Sequence, residues 1–321
     1  MIITQTSTRL SLFGGNTDFR EYFLKHGGLC LTATIDKYVY CIVKKRFDDL
    51  IIVNYSKKEV VEDVNNIQHK LVREALRLLG IEKGIEVSFL ADIPSKGTGL
   101  GSSSSVVIGT LNALHAYLGE NVSSEQLARE AVQIEIDILK NPIGVQDQYA
   151  IALGGLRATQ FHQSGDVESQ KIAISESVKE DFNNSLMLFY TGETRKSKEI
   201  LSSLNIADNT VALDQKKALA DEGIMNLING NLKEFGDLLG SSWATKKKSN
   251  SKTTNEEIDL MYEKALEAGA IGGKVIGAGG GGFLLVMFSA NKRARIREAL
   301  KDYKELSFRF NDFGSRIILN I

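Results

Sequence analysis

Apolar and polar positions alternate along the first half of the chain in two rhythms. Tyr38 to Lys44 and Leu50 to Tyr55 are rich in valine, isoleucine and tyrosine. They predict two strands joined in hairpin fashion through Phe47, Asp48 and Asp49. From Gln68 to Leu79 the period lengthens to that of a helix. Leu71, Val72, Ala75, Leu76 and Leu79 share one face, and Gly80 is its stop. Ile85 to Leu90 returns to strand alternation. Val106 to Leu118 is apolar nearly all round, which predicts a buried helix. Ser123 to Leu139 predicts a longer helix, with Ser123 and Gln126 at capping-box spacing and Leu127, Ala131, Ile134 and Ile138 on its buried face. A glycine turn then enters a strand from Gly154 to Phe161. His162 to Asp166 reads as a turn, and further strands lie near Gln170 to Ile174 and Leu186 to Tyr190.

The second half is richer in helical pattern, over Arg195 to Leu204, Val211 to Leu227, Leu232 to Ser242, Glu256 to Ala268 and Lys292 to Tyr303. The polar stretch Lys246 to Thr254 predicts a loop. Phe283 to Phe288 predicts a strand, and strands at Phe308 and from Arg316 to Ile321 end the chain. The order is α+β, without the regular βα rhythm of a barrel. A boundary near residues 175 to 185 divides the chain into 1–180, which holds a candidate phosphate-binding loop, and 181–321, an α+β unit with a glycine-rich run.

Composition narrows the class. A chain of 321 residues, 43% apolar and 25% charged, has the make-up of a folded protein with one large domain or two intimate ones. Its 39 basic and 40 acidic residues give a net charge of −1, which supplies no general attraction to nucleic acid or to an anionic membrane. Cys30 and Cys41 make neither a disulfide framework nor a metal-site spacing. They read as small core residues of a protein in a reducing compartment. No basic leader precedes a long apolar stretch, and Phe283 to Phe288 is too short to span a bilayer, so a cytoplasmic location is expected.

Glycine and proline then locate the chemistry. The 29 glycines are clustered and the two prolines, Pro94 and Pro142, each open a notable segment. Pro94-Ser-Lys-Gly-Thr-Gly-Leu-Gly-Ser-Ser-Ser-Ser105 follows a predicted strand and opens a helix. Gly97, Gly99 and Gly101 permit close approach of a ligand, and the free N–H groups and dipole of a helix start favour phosphate. The third glycine of a dinucleotide fingerprint and the Lys-Ser/Thr pair of a Walker A loop are both missing. Gly14-Gly-Asn-Thr-Asp-Phe19, downstream of Arg9, offers Asn16 and Asp18 to ligand hydroxyls, with an Asx turn as the plainer reading. Asn141-Pro-Ile-Gly-Val-Gln-Asp-Gln148 puts Asp147 in a constrained loop, where it can orient or deprotonate a hydroxyl. Lys274-Val-Ile-Gly-Ala-Gly-Gly-Gly-Gly-Phe283 is costly in backbone entropy unless something packs tightly on it.

These four segments, in this order and over essentially the whole chain, resemble the superfamily of small-molecule kinases that includes galactokinase, homoserine kinase, mevalonate kinase and phosphomevalonate kinase. Within it, Arg9 to Asp18, Ile35-Asp-Lys-Tyr-Val39, Pro142 to Gly155 and Tyr190-Thr-Gly-Glu-Thr-Arg195 resemble the heptose 7-phosphate kinases. The resemblance implies a two-domain α+β fold with the active site between the domains. It also implies transfer of the ATP γ-phosphoryl to the anomeric hydroxyl of a sugar phosphate. The alternative is a sugar 1-kinase acting on an unphosphorylated sugar such as fucose or galactose. Lys96, Gly97, Thr98, Gly99, Leu100, Gly101, Ser102, Ser103 and Ser104 would wrap the ATP phosphates. Ser103, or its neighbour Ser102, would hold Mg²⁺ with Glu135. Asp147 would face the attacking hydroxyl as base or electrostatic anchor, with Arg9 beside it and the moving phosphoryl group. Asp18, with Asn16 nearby, would grip sugar hydroxyls. Arg195 is the first choice for the distal phosphate, ahead of Lys196, Arg157 and Lys37. The glycine run would buttress the phosphate loop. The family commonly has proline where this chain has Ser7 and glycine where it has Asn16. A homodimer stays open.

Overall fold

The computed structural model describes residues 1–94, 97–193, 206 and 209–321. The helix expected from Arg195 to Leu204 lies outside them. The first sheet is built on two long antiparallel strands, β1 (Ile2–Phe13) and β2 (Gly28–Lys45). It also holds β3 (Ile51–Asn54), β4 (Lys58–Val61), β5 (Ile85–Ala91), β6 (Leu156–Phe161) and β7 (Val167–Lys171). The second sheet is β8 (Leu186–Tyr190), β9 (Ala270–Val275), β10 (Phe283–Phe288) and β11 (Glu305–Leu306), in the order β11-β8-β10-β9. The last strand, β12 (Ser315–Asn320), leaves the expected 181–321 unit and pairs with β1 in the first sheet.

The helices are α1 (Arg20–His26), α2 (Lys70–Leu78), α3 (Ser102–Tyr117), α4 (Ser124–Val132), α5 (Gln146–Leu153), α6 (Glu176–Asn184), α7 (Thr210–Ile228), α8 (Leu232–Ser249), α9 (Glu256–Glu267) and α10 (Arg293–Ala299). α3 is apolar on all sides because it is buried against the first sheet, α2, α4 and α5. One apolar cluster joins the two sheets: Leu10, Leu12 and Phe13 of β1 share it with Leu188 of β8, Leu285 and Met287 of β10, and Phe235 and Leu239 of α8. The opposite face of β10, Leu284, Val286 and Phe288, packs with Trp243, Ile258 and Met261. A strand covered on both faces needs no polar alternation, hence the unbroken apolar run. Each large apolar side chain buried there contributes about 1.5–3 kcal/mol.

Four expectations are corrected. The strands at 38–44 and 50–55 are not a hairpin, because β5 lies between them, antiparallel to β2 and parallel to β3. Local sequence cannot reveal a strand inserted from a distance. The polar stretch 246–254 is not a free loop. α8 continues to Ser249, Lys246 is buried, and Ser251–Thr253 forms a 3₁₀ turn. The helix expected to run to Leu139 changes at Gln133–Ile138 into a π-helix. The wider turn rotates Ile138 out to solvent, 43% exposed, while Leu127, Ala131 and Ile134 stay in the core. Ser123 caps α4 through the N–H of Gln126, as the spacing predicts. Asp147 sits in the first turn of α5 and not in a loop.

Candidate active site

β1, the start of α3, the π segment, α5 and the glycine run converge on a cleft with two chambers. Gly101, at φ +77°, caps α3 and turns the phosphate loop into the helix. Gly97, Thr98, Gly99, Gly101, Ser102, Ser103 and Ser104 line the first chamber, together with Glu135 and Asn141. Leu100 does not: its side chain is fully buried in the core, and its carbonyl accepts from the N–H of Arg9 at 2.9 Å. Lys96 lies outside the described residues. The glycine run supports the loop at backbone contact. A Cβ on Gly99 would stand 2.3 Å from the carbonyl oxygen of Ile276, and one on Gly282 would stand 2.6 Å from that of Thr98.

Glu135 is fully buried, and both its oxygens are engaged. Ser103 donates to one, while Ser104 Oγ and Gln148 Nε2 donate to the other at 2.7 and 2.6 Å. Burial pushes its carboxyl above the usual range against the pull of these three donors. A carboxylate and two hydroxyls at a phosphate loop are hard oxygen donors, which suit Mg²⁺. That ion takes few protein ligands and fills its octahedron with phosphate and water. No group of three His, Cys, Asp or Glu side chains converges among the described residues.

The second chamber opens on the other side of Arg9 and Asp147, which line both. Arg9 Nε and Nη2 donate to the two oxygens of Asp147 at 2.7 and 2.5 Å, and Nη1 donates to the carbonyl of Gly99 at 2.6 Å. This bidentate pairing fixes the carboxylate plane and ties it to the phosphate loop. Strand alternation puts Ser11 on the same side as Arg9, where its hydroxyl donates to Gln146 Oε1 at 2.8 Å. Asp18 accepts from the N–H of Asn16 at 2.9 Å and from the N–H and Nε2 of Gln146, both at 3.1 Å. Its carboxyl is raised to about 6, first by burial and then by the charge of Asp147, against the Gln146 hydrogen bond. Gly144 is required beside it, since a Cβ there would stand 1.9 Å from Asp18 Oδ2.

Comparison with known proteins places the chain in a family. The family model for the GHMP kinases N terminal domain matches residues 65–155, and that for the GHMP kinases C terminal matches residues 224–306. D-glycero-alpha-D-manno-heptose 7-phosphate kinase from Campylobacter jejuni is 30% identical, over 94% of this chain and 93% of the relative. The chain belongs to the GHMP kinases. The crystal structure of a D-glycero-D-manno-heptose 1-phosphate kinase from Bacteroides thetaiotaomicron superposes with a TM-score of 0.84 at 25% identity, covering all of both chains. Streptococcus pneumoniae phosphomevalonate kinase shares the fold, with a TM-score of 0.81 at 17% identity over 97% of this chain and 100% of that one. The GHMP kinase fold has the two-part α+β organisation expected from the sequence.

In this GHMP kinase only two of the four basic residues expected at the distal phosphate fall among the described residues, and neither of those two lines the second chamber. Arg195 and Lys196 lie outside the described residues. Arg157 donates to the carbonyls of Gly154 and Ser169, and Lys37 pairs with Asp36; neither lines the chamber. Lys216, Lys246 and Lys274 do line it. Lys274 opens the glycine-run segment, which is a readable signal. Lys246 sits in a stretch whose sequence reads as solvent-facing, and Lys216 on a helix with no marker in its sequence. No helix among the described residues is long and apolar enough to cross a membrane.

Proposed function

We propose that this GHMP kinase transfers the γ-phosphoryl group of ATP to the anomeric hydroxyl of D-glycero-D-manno-heptose 7-phosphate, giving the 1,7-bisphosphate. The observation that carries the reading is the shared wall: Arg9 and Asp147 stand between a chamber of backbone N–H groups and hydroxyls and a chamber of side chains suited to a polyol. Phosphoryl transfer needs positioning and cancellation of developing charge more than covalent help. The phosphate loop holds the nucleotide, Asp147 orients the acceptor hydroxyl, and Arg9 sits against both. Asp18 takes hydroxyls of the sugar, with Asn16 beside it. Ser103 and Glu135 would hold Mg²⁺, which when bound offsets the negative charge of the phosphates.

Support for the acceptor comes from two relatives. One is named for heptose 7-phosphate and the other for heptose 1-phosphate, and a heptose phosphate monoester is common to both names. A second reading, a 1-kinase for an unphosphorylated sugar, is favoured by the similarity to Bacteroides fragilis L-fucokinase/L-fucose-1-P guanylyltransferase, 27% identical over 93% of this chain and 36% of that protein. ATP-dependent ADP release across heptose 7-phosphate, heptose, fucose and galactose separates the two. Preference for heptose 7-phosphate is the expected result. Equal turnover of heptose or fucose overturns it.

A further inference from the structure

Three lysines in the second chamber have no part in the transfer just described. Lys216 comes from α7, Lys246 from α8 and Lys274 from β9, and all three are at least nine-tenths buried. All three line the acceptor chamber, and none lines the phosphate-loop chamber. Their amines end on neutral oxygens. Lys216 Nζ donates to Asn16 Oδ1 at 3.3 Å. Lys246 Nζ donates to the carbonyls of Val275 and Gly277 at 3.0 and 2.6 Å. Lys274 Nζ donates to the carbonyl of Leu12 at 2.8 Å. None of the three makes an ion pair among the described residues. Each ammonium retains N–H groups beyond those contacts.

Burying an ammonium ion away from a counter-charge costs several kcal/mol, and three from separate elements multiply that cost. Burial depresses all three: with added repulsion from neighbouring cations Lys274 falls to about 7 and Lys246 well below the ordinary lysine value, while Lys216, which Asp18 partly supports, falls to about 8. A folding role alone does not call for three amines at one cleft, since apolar side chains of similar length fill such space without the cost. A dianionic group on the acceptor would supply the missing charge and use the free N–H groups.

We propose that Lys216, Lys246 and Lys274 form the receptor for a phosphate monoester carried by the acceptor, held away from the hydroxyl that faces Asp147. This rests on the reading of the acceptor as a sugar phosphate and names the residues that would select it. The receptor lies on the acceptor side of the Arg9–Asp147 wall, so it acts on acceptor affinity and not on the nucleotide.

The test compares the full-length enzyme with Lys216→Met and Lys274→Met, and with Lys216→Arg as the charge-retaining control. Kinetics are measured with heptose 7-phosphate, hexose 6-phosphates and unphosphorylated heptose, and thermal melting reports folding. Each methionine variant is expected to raise KM for the phosphorylated acceptor by about 10- to 100-fold, the scale of a lost charged hydrogen bond. KM for ATP should hold, kcat/KM for unphosphorylated heptose should fall far less than that for the phosphorylated acceptor, and Lys216→Arg should recover part of the loss. A wild type that selects heptose 7-phosphate, with variants that keep that selectivity, overturns the receptor and leaves the heptose reading standing. A fall in kcat with every acceptor also overturns it, because the lysines would then serve the moving phosphoryl group. A wild type that selects a hexose phosphate, with variants that lose it, supports the receptor and overturns the heptose acceptor. A wild type indifferent to acceptor phosphate overturns both.

Discussion

The two chambers that meet at Arg9 and Asp147 are built from different materials. The phosphate-loop chamber is mostly one continuous segment, Gly97 to Ser104, presenting backbone and hydroxyls at the start of α3, backed by Glu135 and the glycine run. The acceptor chamber is assembled from charged side chains on β1, the turn after it, α5, α7, α8 and β9. Backbone N–H groups bind any phosphate of the right shape. Charged side chains from separate elements can be exchanged one at a time. The first chamber therefore suits a constant partner, and the second suits a particular one. Substitutions should separate along that division, with the wall as the place where both are lost.

The largest effect belongs to the wall. Asp147→Asn keeps the size of the side chain but turns an amide toward a guanidinium that now makes two bonds to carboxylate oxygens. Its kcat is expected to fall by about 10²- to 10⁴-fold, the usual range for a positioned proton-transfer group. Nucleotide affinity, measured by calorimetry, should be retained. Full turnover by the variant would remove Asp147 from its assigned role.

Next comes a change confined to the phosphate side. Gly99 has φ +75°, and a side chain there would run into the Ile276 carbonyl at 2.3 Å. Gly99→Val is expected to weaken nucleotide binding by at least about tenfold, since the left-handed backbone alone costs roughly 1–2 kcal/mol for such a residue. Acceptor binding measured in the absence of nucleotide should change little. If acceptor affinity fell in parallel, the two chambers would not be separable.

The same division explains how much of the molecule is legible in its amino-acid sequence. The phosphate loop is legible because its chemistry is local: glycines at fixed spacing ahead of a helix start say what the backbone must do. The glycine run is legible as something tightly packed, and it packs on that loop. Arg9, Asp18, Glu135 and Asp147 follow from the motifs and the family resemblance, and the structure brings all four to the cleft. Lys274 is marked by its place at the head of the glycine-run segment, but Lys216 and Lys246 are not legible, because their burial depends on how α7 and α8 lie against β1 and β9, a long-range fact. Phe47 to Asp49 misleads for a similar reason. A turn between two strands says nothing about a third strand, β5, arriving between them from about thirty residues downstream. The π turn at Gln133–Ile138 is hidden because a helical pattern carries no mark of one wider turn, yet that turn is where Glu135 reaches the serines.

Titration supplies a milder test of the acceptor side. Asp18 is raised to about 6, and its ionised form is the better acceptor for sugar hydroxyls. As pH falls through 6 the carboxyl gains a proton, so kcat/KM for the acceptor should decline by about tenfold per unit below that point. Asp18→Asn should start from a lower kcat/KM and lack this acid limb. An identical limb in the variant would assign the titration to another group.

The smallest expected change bears on the same chamber from its rim. Asn16 has φ +77°, a conformation that asparagine tolerates and glycine adopts freely, so Asn16→Gly imposes no new backbone strain. Relief of the left-handed penalty is offset by the greater freedom of glycine in the unfolded chain, and thermal stability should move by no more than about 1 kcal/mol. What the substitution removes is the 3.3 Å contact that holds the Lys216 amine toward the chamber. One long neutral-to-charged hydrogen bond corresponds to about 0.5–1.5 kcal/mol, so KM for a phosphorylated acceptor should rise by about two- to tenfold. KM for ATP should not change, because Asn16 lines only the acceptor side. Combining Asn16→Gly with Lys216→Met sharpens the comparison further: if Asn16 acts by aiming Lys216, the double variant should bind the phosphorylated acceptor no worse than Lys216→Met alone. Additive losses would mean that Asn16 meets the sugar directly, which the turn at Gly14 to Asp18 also permits.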